Sequence, residues 1–197
     1  MMNTRKIAII GLGLIGGSLG LALKEAWQDS IIIAGYDQCR TTIDRAISDK
    51  VVDVGPADLA AAVTGAEVIF LCPPVLQIVP LVKAMLPYLR DGAIITDVGS
   101  TKKFLADKLK AILPPGISYV GGHPMAGAER SGYAAGKAHL FENAYYVLTP
   151  PPGTPEEIKK SLELLVASTG ALPLILDPLI HDRKVGLVSH LPHILAA

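Results

Sequence analysis

Short apolar runs alternate along the chain with segments of helical character. Seven of these runs are rich in β-branched residues and are continuously apolar, which is typical of strands buried on both faces of a parallel sheet. They lie at Lys6–Ile10, Ile31–Tyr36, Glu67–Cys72, Ala93–Val98, Ile117–Gly121, Tyr145–Leu148 and Leu172–Leu176, and helices are predicted between most of them, including Leu14–Trp27 and Pro155–Ser168. The pattern indicates an α/β fold with a doubly wound, mostly parallel sheet.

The segment from Pro178 to Ala197 is also predicted to be helical, with Pro192 in its interior. Because proline interrupts a helix, we expect a kink or break near Ser189. The segment stops in an apolar stretch that has neither a capping glycine nor a basic last turn. Two interpretations remain open: the chain stops inside a helix, or this helix is a true C-terminus that packs back on the sheet.

The balance of charges narrows the function classes. The 197 residues include 18 Lys and Arg against 18 Asp and Glu, and 50% are hydrophobic. Without a basic excess, binding to nucleic acid or to an anionic membrane surface is not expected.

The uncharged run Ile7–Leu23 resembles a secretory signal, but its five glycines favour a strand, a turn and a helix. The two cysteines form no C-x-x-C motif, which favours reduced thiols and a cytoplasmic location, and Cys72 is expected to be a small core residue.

A glycine motif follows the first predicted strand with the spacing Gly11-x-Gly13-x-x-Gly16 and opens the next helix. Gly11 permits a tight turn, Gly13 lets a pyrophosphate approach the backbone, and Gly16 lets the helix lie close to the strand. The N–H groups at the helix start, at Leu14 and Ile15, then face the phosphates. The motif therefore predicts a dinucleotide site, the alternative being a glycine-rich turn that binds nothing.

An acidic residue stands where the ribose of such a dinucleotide would lie. Asp37 follows the second predicted strand, 21 residues beyond Gly16, so its carboxylate is placed to accept both ribose hydroxyls. The same carboxylate repels a 2′-phosphate, which favours NAD over NADP, although Arg40 offers a compensating charge if Asp37 turns away. The backbone at Pro73, after the third strand, is expected to pass beside the cofactor ribose. Strand, helix and acid together predict a Rossmann-like fold.

Two further segments make the sequence recognisable: Gly121–Gly127, which reads GGHPMAG, and Ser189–His193, which reads SHLPH. Other parts of the pattern are GLGLIGGS at 11–18, DVGS at 97–100 and FxNAxYVLTP at 141–150. With these motifs the chain resembles, over essentially its whole length, the prephenate and arogenate dehydrogenases. The two histidine segments carry the resemblance, because they are far more specific than the glycine motif.

The resemblance implies the NAD-dependent oxidative decarboxylation of prephenate to 4-hydroxyphenylpyruvate in tyrosine biosynthesis. Arogenate remains open as the small-molecule substrate, with tyrosine as its direct product, and so does a chain that acts only as a catalytically weak dinucleotide-binding module. The resemblance also implies an NAD-binding Rossmann-type domain over residues 1–177. Residues 178–197 would be the first helix of a truncated all-helical substrate and dimerisation domain, through which a homodimer forms.

His123 is predicted to be the catalytic residue. It stands on a Gly-Gly turn just past the fifth predicted strand, at the carboxyl edge where doubly wound sheets bind ligands. A histidine that is mostly unprotonated at neutral pH accepts the hydroxyl proton, whereas in the alternative interpretation it only holds the loop through a backbone carbonyl. Ser100 by itself is typical of an N-cap for a helix that begins near Thr101. The resemblance also places Ser100 beside the substrate hydroxyl, between substrate and nicotinamide, so Ser100 is a second catalytic candidate after His123 and an expected contact of the cofactor.

The resemblance suggests further contacts to the substrate. It implies that His193 contacts the substrate carboxylates, and a helix would place Ser189 on the same face as His193. It also implies that Glu129 lines the mouth of the pocket, whereas on sequence alone Glu129 and Arg130 are a solvated pair. His181 is a weaker candidate for the substrate site.

Two other groups of residues are not expected to act in the reaction. Lys102 and Lys103 are expected to be solvated. A metal site at His190 and His193 is disfavoured, because Pro192 intervenes and acidic or thiol ligands are not close in the sequence. We therefore predict no metal.

Overall fold

The computed structural model describes residues 5–127 and 130–187 of the chain. The strands are β1 (Arg5–Ile10), β2 (Ile31–Tyr36), β3 (Val68–Leu71), β4 (Ile94–Asp97), β5 (Ser118–Pro124), β6 (Tyr145–Thr149) and β7 (Leu172–Ile175). The helices are α1 (Leu14–Trp27), α2 (Arg40–Ser48), α3 (Leu59–Val63), α4 (Val75–Met85), α5 (Lys103–Lys110), α6 (Glu156–Ala167) and α7 (Pro178–Val185). All seven predicted strands are confirmed. The two predicted helices are confirmed as well and correspond to α1 and α6.

The strands form one sheet in the order β2-β1-β3-β4-β5-β6-β7. Neighbouring strands are parallel except β5 and β6, which pair antiparallel. The strand order reverses at β1, which pairs with β2 on one side and with β3 on the other. In open α/β sheets such a reversal leaves a crevice at the carboxyl ends of the strands, where ligands bind.

Alternate residues of β1 point into two separate cores, one on each face of the sheet. Ile7 and Ile9 belong to the core that α1, α2 and α6 cover, whereas Ala8 and Ile10 belong to the core beneath α3, α4 and α5. Side chains alternate between the faces of a strand, so a continuously apolar strand supplies both cores at once. The doubly wound α/β fold predicted from the sequence is therefore confirmed.

The prediction that every strand is buried on both faces is wrong for β7. Leu172 is 46% exposed, and Leu174 and Ile175 are 39% exposed. β7 is the last strand of the sheet and pairs only with β6 among the described strands. An apolar run alone does not reveal whether a strand lies at the centre or at the edge of a sheet.

Helix α7 begins at Pro178, as predicted. The Asp177 carboxylate caps it by accepting hydrogen bonds from the N–H groups of Leu179 and Ile180. The predicted kink near Ser189 and the apolar stretch after it lie outside the described residues. No helix in the described ranges is long and apolar enough to cross a membrane.

Close packing of the glycine motif holds α1 against β1. Gly11 has φ +92°, in the left-handed region that favours glycine. A Cβ atom at Gly16 would lie 1.9 Å from the Gly11 carbonyl oxygen, a distance that no side chain tolerates. These geometries agree with the tight turn and the close helix packing expected from the sequence.

We predict that Gly16→Ala lowers the free energy of unfolding by about 1–3 kcal/mol, because the added methyl group forces the helix away from the turn. The control is Gly17→Ala in the same helix turn, where the new Cβ makes an ordinary 3.4 Å contact with Tyr133. That change should leave the free energy of unfolding unchanged or raise it by up to about 1 kcal/mol, since alanine favours the helix. Urea denaturation of both variants measures the difference, and equal stabilities would contradict the packing argument.

Candidate active site

A crevice lies at the carboxyl ends of β1, β2 and β3. Its cavity has a volume of about 360 Å³. The residues around it include four that were predicted to bind a cofactor, namely Gly11, Gly13, Asp37 and Pro73. Of the other four predicted residues, Leu14, Ile15 and Gly16 lie in the first turn of α1 and do not line the cavity, and Ser100 follows β4 outside the lining. The structure therefore brings seven of the eight predicted residues to the β1–α1 turn and the crevice beside it.

The Asp37 carboxylate is held in a fixed orientation at the end of β2. Its Oδ2 atom accepts a hydrogen bond of 2.8 Å from the Leu12 N–H, and its Oδ1 atom accepts one of 2.9 Å from the Cys39 N–H. Each carboxylate oxygen can accept a further bond. Beside it, a Cβ atom at Gly13 would meet no atom within 4 Å, so the backbone there is open to close approach.

Arg40, considered above as a partner for a 2′-phosphate, is engaged elsewhere. Its Nε atom donates to Asp44 Oδ1 at 2.9 Å, and its guanidinium also donates to the Gly55 carbonyl at 3.1 Å. Both partners lie outside the lining of the crevice. In this structure the arginine therefore does not offset the Asp37 charge.

The two cysteines differ in reactivity. The Cys72 thiol packs against the core, as expected. Its burial is the main cause that raises its pKa, and the negative charge of Asp97 is a smaller cause in the same direction. Hydrogen bonds from the side chains of Thr41 and Thr42 lower the pKa of the exposed Cys39 to about 7. Thiolates are the reactive form of cysteine, so Cys39 is the more nucleophilic of the two.

His123 lies within β5 and not on a turn, so the predicted Gly-Gly turn is wrong. β5 continues to Pro124, and His123 pairs with Val147 of the antiparallel β6. The two preceding glycines permit close packing: a Cβ atom at Gly122 would lie 2.4 Å from the Asp97 carbonyl oxygen. The histidine is half-buried, at the carboxyl end of its strand as expected.

A second histidine and a carboxylate continue from His123 into α7. His123 Nδ1 lies 2.9 Å from His181 Nε2, and His181 Nδ1 lies 2.8 Å from Asp182 Oδ1. The His181 side chain is completely buried, whereas the Asp182 side chain is 26% exposed. His181 was a weak candidate from the sequence, and Asp182 was missed. No local pattern signals this contact, because 58 residues separate the two histidines.

Asp182 also caps α5, so the prediction of Ser100 as its N-cap is wrong. The helix begins at Lys103, and its first N–H groups, from Lys102 and Lys103, donate to Asp182 at 2.8 and 2.9 Å. Ser100 is exposed and lies just beyond β4, at the same sheet edge as His123. Burial raises the pKa of Asp182, but the bonds from His181 and the two N–H groups outweigh burial, so the net shift lowers this pKa.

The prediction of a solvated Lys102 is also wrong. Its side chain is completely buried and forms an ion pair with Asp97, which is equally buried. Lys102 Nζ also donates to the Gly122 carbonyl at 2.6 Å, and Tyr119 donates to Asp97 Oδ1 at 2.8 Å. Burial lowers the pKa of Lys102, and the Asp97 charge opposes this shift. The lysine is buried because a buried carboxylate needs a cationic partner.

The neighbouring Lys103 is partly exposed, as expected, and pairs with Asp107 one helical turn further on. The residues described show no group of three or more His, Cys, Asp or Glu side chains that could hold a metal ion.

Four predicted residues lie outside the described ranges. They are Glu129, Ser189, His190 and His193. The substrate contacts expected of Glu129, Ser189 and His193 therefore stay predictions, and so does the absence of a metal site at His190 and His193. Arg130, the sequence neighbour of Glu129, is exposed.

Known proteins share both the sequence and the fold of this chain. Residues 19–172 match the family model described as "Prephenate dehydrogenase, nucleotide-binding domain". The prephenate dehydrogenase of Bacillus subtilis is 38% identical over 199 aligned residues, which cover 100% of this chain and 53% of that protein. The chain thus spans about half the length of this curated relative.

Solved structures agree with this match. The Synechocystis arogenate dehydrogenase has a TM-score of 0.88 and 34% identity, over 95% of this chain and 65% of that one. The Aquifex aeolicus prephenate dehydrogenase, solved with hydroxyphenyl propionate and NAD+, has a TM-score of 0.89 and 30% identity, over 98% of this chain and 66% of that one. The chain therefore belongs to the prephenate dehydrogenase family, to the part that the family model describes as its nucleotide-binding domain.

Proposed function

We propose that this chain is the NAD-binding part of an enzyme that oxidatively decarboxylates prephenate to 4-hydroxyphenylpyruvate in tyrosine biosynthesis. The observation that carries the proposal is the position of His123, hydrogen-bonded to His181 at the sheet edge that also bears the dinucleotide crevice. Membership of the family supplies the reaction. The chain covers about half of its Bacillus relative, so activity of the whole protein is part of the proposal.

The residues of the crevice fit a dinucleotide. Gly11 makes the turn, the open backbone at Gly13 admits a pyrophosphate, and Asp37 is oriented to accept ribose hydroxyls. Pro73 borders the same cavity. We propose NAD over NADP, because the Asp37 carboxylate repels a 2′-phosphate and Arg40 is bound to Asp44 and Gly55.

His123 is proposed as the base of the reaction. It accepts the proton of the substrate's C4 hydroxyl, while NAD, when bound, supplies the acceptor for the hydride from C4. The bond from the ring to its carboxylate breaks, carbon dioxide leaves, and the electron pair of that bond makes the ring aromatic. The proton then returns to the phenolic oxygen, so no proton is gained or lost overall. We propose that Ser100, at the same edge, binds the same hydroxyl.

Arogenate is a second candidate substrate, favoured by the likeness to the Synechocystis arogenate dehydrogenase. Prephenate and arogenate differ in a keto or amino side chain, and the reaction at the ring is the same. For the predicted substrate contacts we retain His193, Glu129 and Ser189 as proposals. A further alternative is that this chain alone binds the cofactor but turns over weakly.

We also propose the wider organisation that the family suggests. Residues 1–177 would form the NAD-binding domain, and residues 178–197 would be the first helix of an all-helical domain that forms a homodimer. A cytoplasmic location is supported by two free thiols, Cys39 and Cys72.

The cofactor preference is tested by titrating NADH and NADPH into the parent chain and into Asp37→Ser. We expect the parent to prefer NADH and the substitution to reduce that preference at least about tenfold, or ~1.4 kcal/mol, because it removes both the ribose acceptor and the repelling charge. Asp29→Ser, which removes an exposed carboxylate that neither lines the crevice nor pairs with Arg40, is the control and should leave the preference unchanged. Equal affinities in the parent would contradict the NAD assignment.

The role of His123 is tested by following NADH formation from NAD with prephenate or arogenate. We expect His123→Asn to lower kcat by about 10²- to 10⁴-fold, the usual worth of general-base catalysis, with NADH affinity unchanged. His139→Asn alters an exposed histidine of the β5–β6 connection and should leave kcat at the parent value. An unchanged kcat in His123→Asn would refute the role. NADH binding without turnover in the parent would favour the weak-module alternative.

A further inference from the structure

We propose that Asp182 and His181 are positioning residues that fix the tautomer of His123, with its proton on Nδ1 and its accepting lone pair on Nε2. The two residues act through His123 and are not proposed to contact the substrate. The catalytic consequence rests on the proposed function of His123 as the base. The tautomer itself does not depend on that function.

Asp182, His181 and His123 form a hydrogen-bonded triad, in which the proton positions follow from the Asp182 carboxylate. Its Oδ1 atom faces the Lys102 N–H and His181 Nδ1, and its Oδ2 atom faces the Lys103 N–H. Backbone N–H groups only donate, and an ionised carboxylate only accepts. Three donors around one carboxylate therefore favour the ionised form, and His181 must carry a proton on Nδ1 to complete the set.

The tautomer of His181 then determines that of His123. A neutral imidazole with its proton on Nδ1 has an accepting lone pair on Nε2. His181 Nε2 lies 2.9 Å from His123 Nδ1, so His123 must donate from Nδ1. The remaining ring nitrogen of His123, Nε2, is then the acceptor that a general base requires. With the opposite tautomer, Nε2 would carry the proton and could not accept another.

The surroundings of His181 favour this one arrangement of protons on the two imidazoles. The His181 side chain is completely buried, so water does not compete for its two nitrogens. The same carboxylate that orients His181 also caps α5, which begins three residues after Ser100. Asp182 thereby connects the tautomer of the proposed base to the position of the segment that carries Ser100. Both oxygens of the carboxylate are used, Oδ1 by Lys102 and His181 and Oδ2 by Lys103.

The test is a long-range ¹H–¹⁵N spectrum of the full chain with ¹⁵N-labelled histidine, which shows which ring nitrogen carries the proton. The spectrum is recorded at about pH 8.5, above the ordinary histidine pKa of about 6.5. His123→Asn and His181→Asn identify the two sets of signals. We expect both His123 and His181 to be protonated on Nδ1 in the parent chain. A parent spectrum with His123 protonated on Nε2 would overturn the proposal without any further variant.

Three substitutions separate positioning from simple stabilisation. Asp182→Ala removes the acceptor for His181, so at least part of the His123 population should shift to the Nε2-protonated tautomer. Asp182→Asn loses the acceptor for the Lys103 N–H, but its amide oxygen can still accept from both Lys102 and His181, so this variant should still favour the parent tautomer. Asp177→Ala is the matched control. It removes the cap of α7 but leaves the hydrogen-bonded triad of Asp182, His181 and His123 intact, so the spectrum of His123 should not change. An Asp182→Ala variant that is folded and keeps the parent tautomer would contradict the proposal.

Kinetics distinguish this proposal from the proposed function. If the parent forms NADH, Asp182→Ala should lower kcat by about 10²- to 10⁴-fold, with KM for NAD unchanged, and Asp182→Asn should restore most of it. A structural defect alone would also weaken NAD binding. The absence of turnover in the parent would count against the proposed function, while the spectrum would still decide the tautomer. A wrong tautomer together with turnover that His123→Asn abolishes would reject only the positioning role.

Discussion

The candidate active site is built around a buried ion pair between Asp97 and Lys102. Asp97 ends the central strand β4, where neither side chain of the pair is exposed. Removing one partner of such a pair leaves an uncompensated buried charge, which typically costs about 3–5 kcal/mol. Asp97 also accepts hydrogen bonds from Tyr119 and from the Gly99 N–H. One carboxylate thus joins the end of β4 to β5 and to Lys102, the residue before α5.

This arrangement determines where His123 stands. Lys102 reaches from the N-terminal side of α5 to the carbonyl of Gly122, the residue just before His123. The glycines of β5 allow the strand to approach β4 closely enough for that contact. On the opposite side, Asp182 of α7 binds the first N–H groups of α5 and, through His181, the imidazole of His123. The histidine is therefore held through its backbone by one charged residue and through its ring by another.

The two halves of the site are constructed differently. The dinucleotide crevice is formed by short loops that follow β1, β2 and β3, and its key contacts join the glycine turn to a carboxylate 25 residues away. The histidine half joins β4, β5, α5 and α7, and the contacts of α7 with β5 and α5 span 58 to 80 residues. Both halves open on the carboxyl edge of one sheet, as the proposed transfer of a hydride from one carbon and of a proton from its hydroxyl requires.

Much of this protein follows from the sequence alone. The continuously apolar runs predicted all seven strands; burial on both faces of the sheet explains such runs in the inner strands, but not in β7 at the edge. The glycine spacing with Asp37 located the crevice, since turn geometry and close backbone approach depend on nearby residues. Tertiary structure decided the burial of Lys102, the capping of α5 by Asp182 and the contact of His181 with His123. These results depend on charges and hydrogen-bonding groups that meet only after folding, and a buried group takes whichever partner the packing brings within reach, however distant it is along the chain.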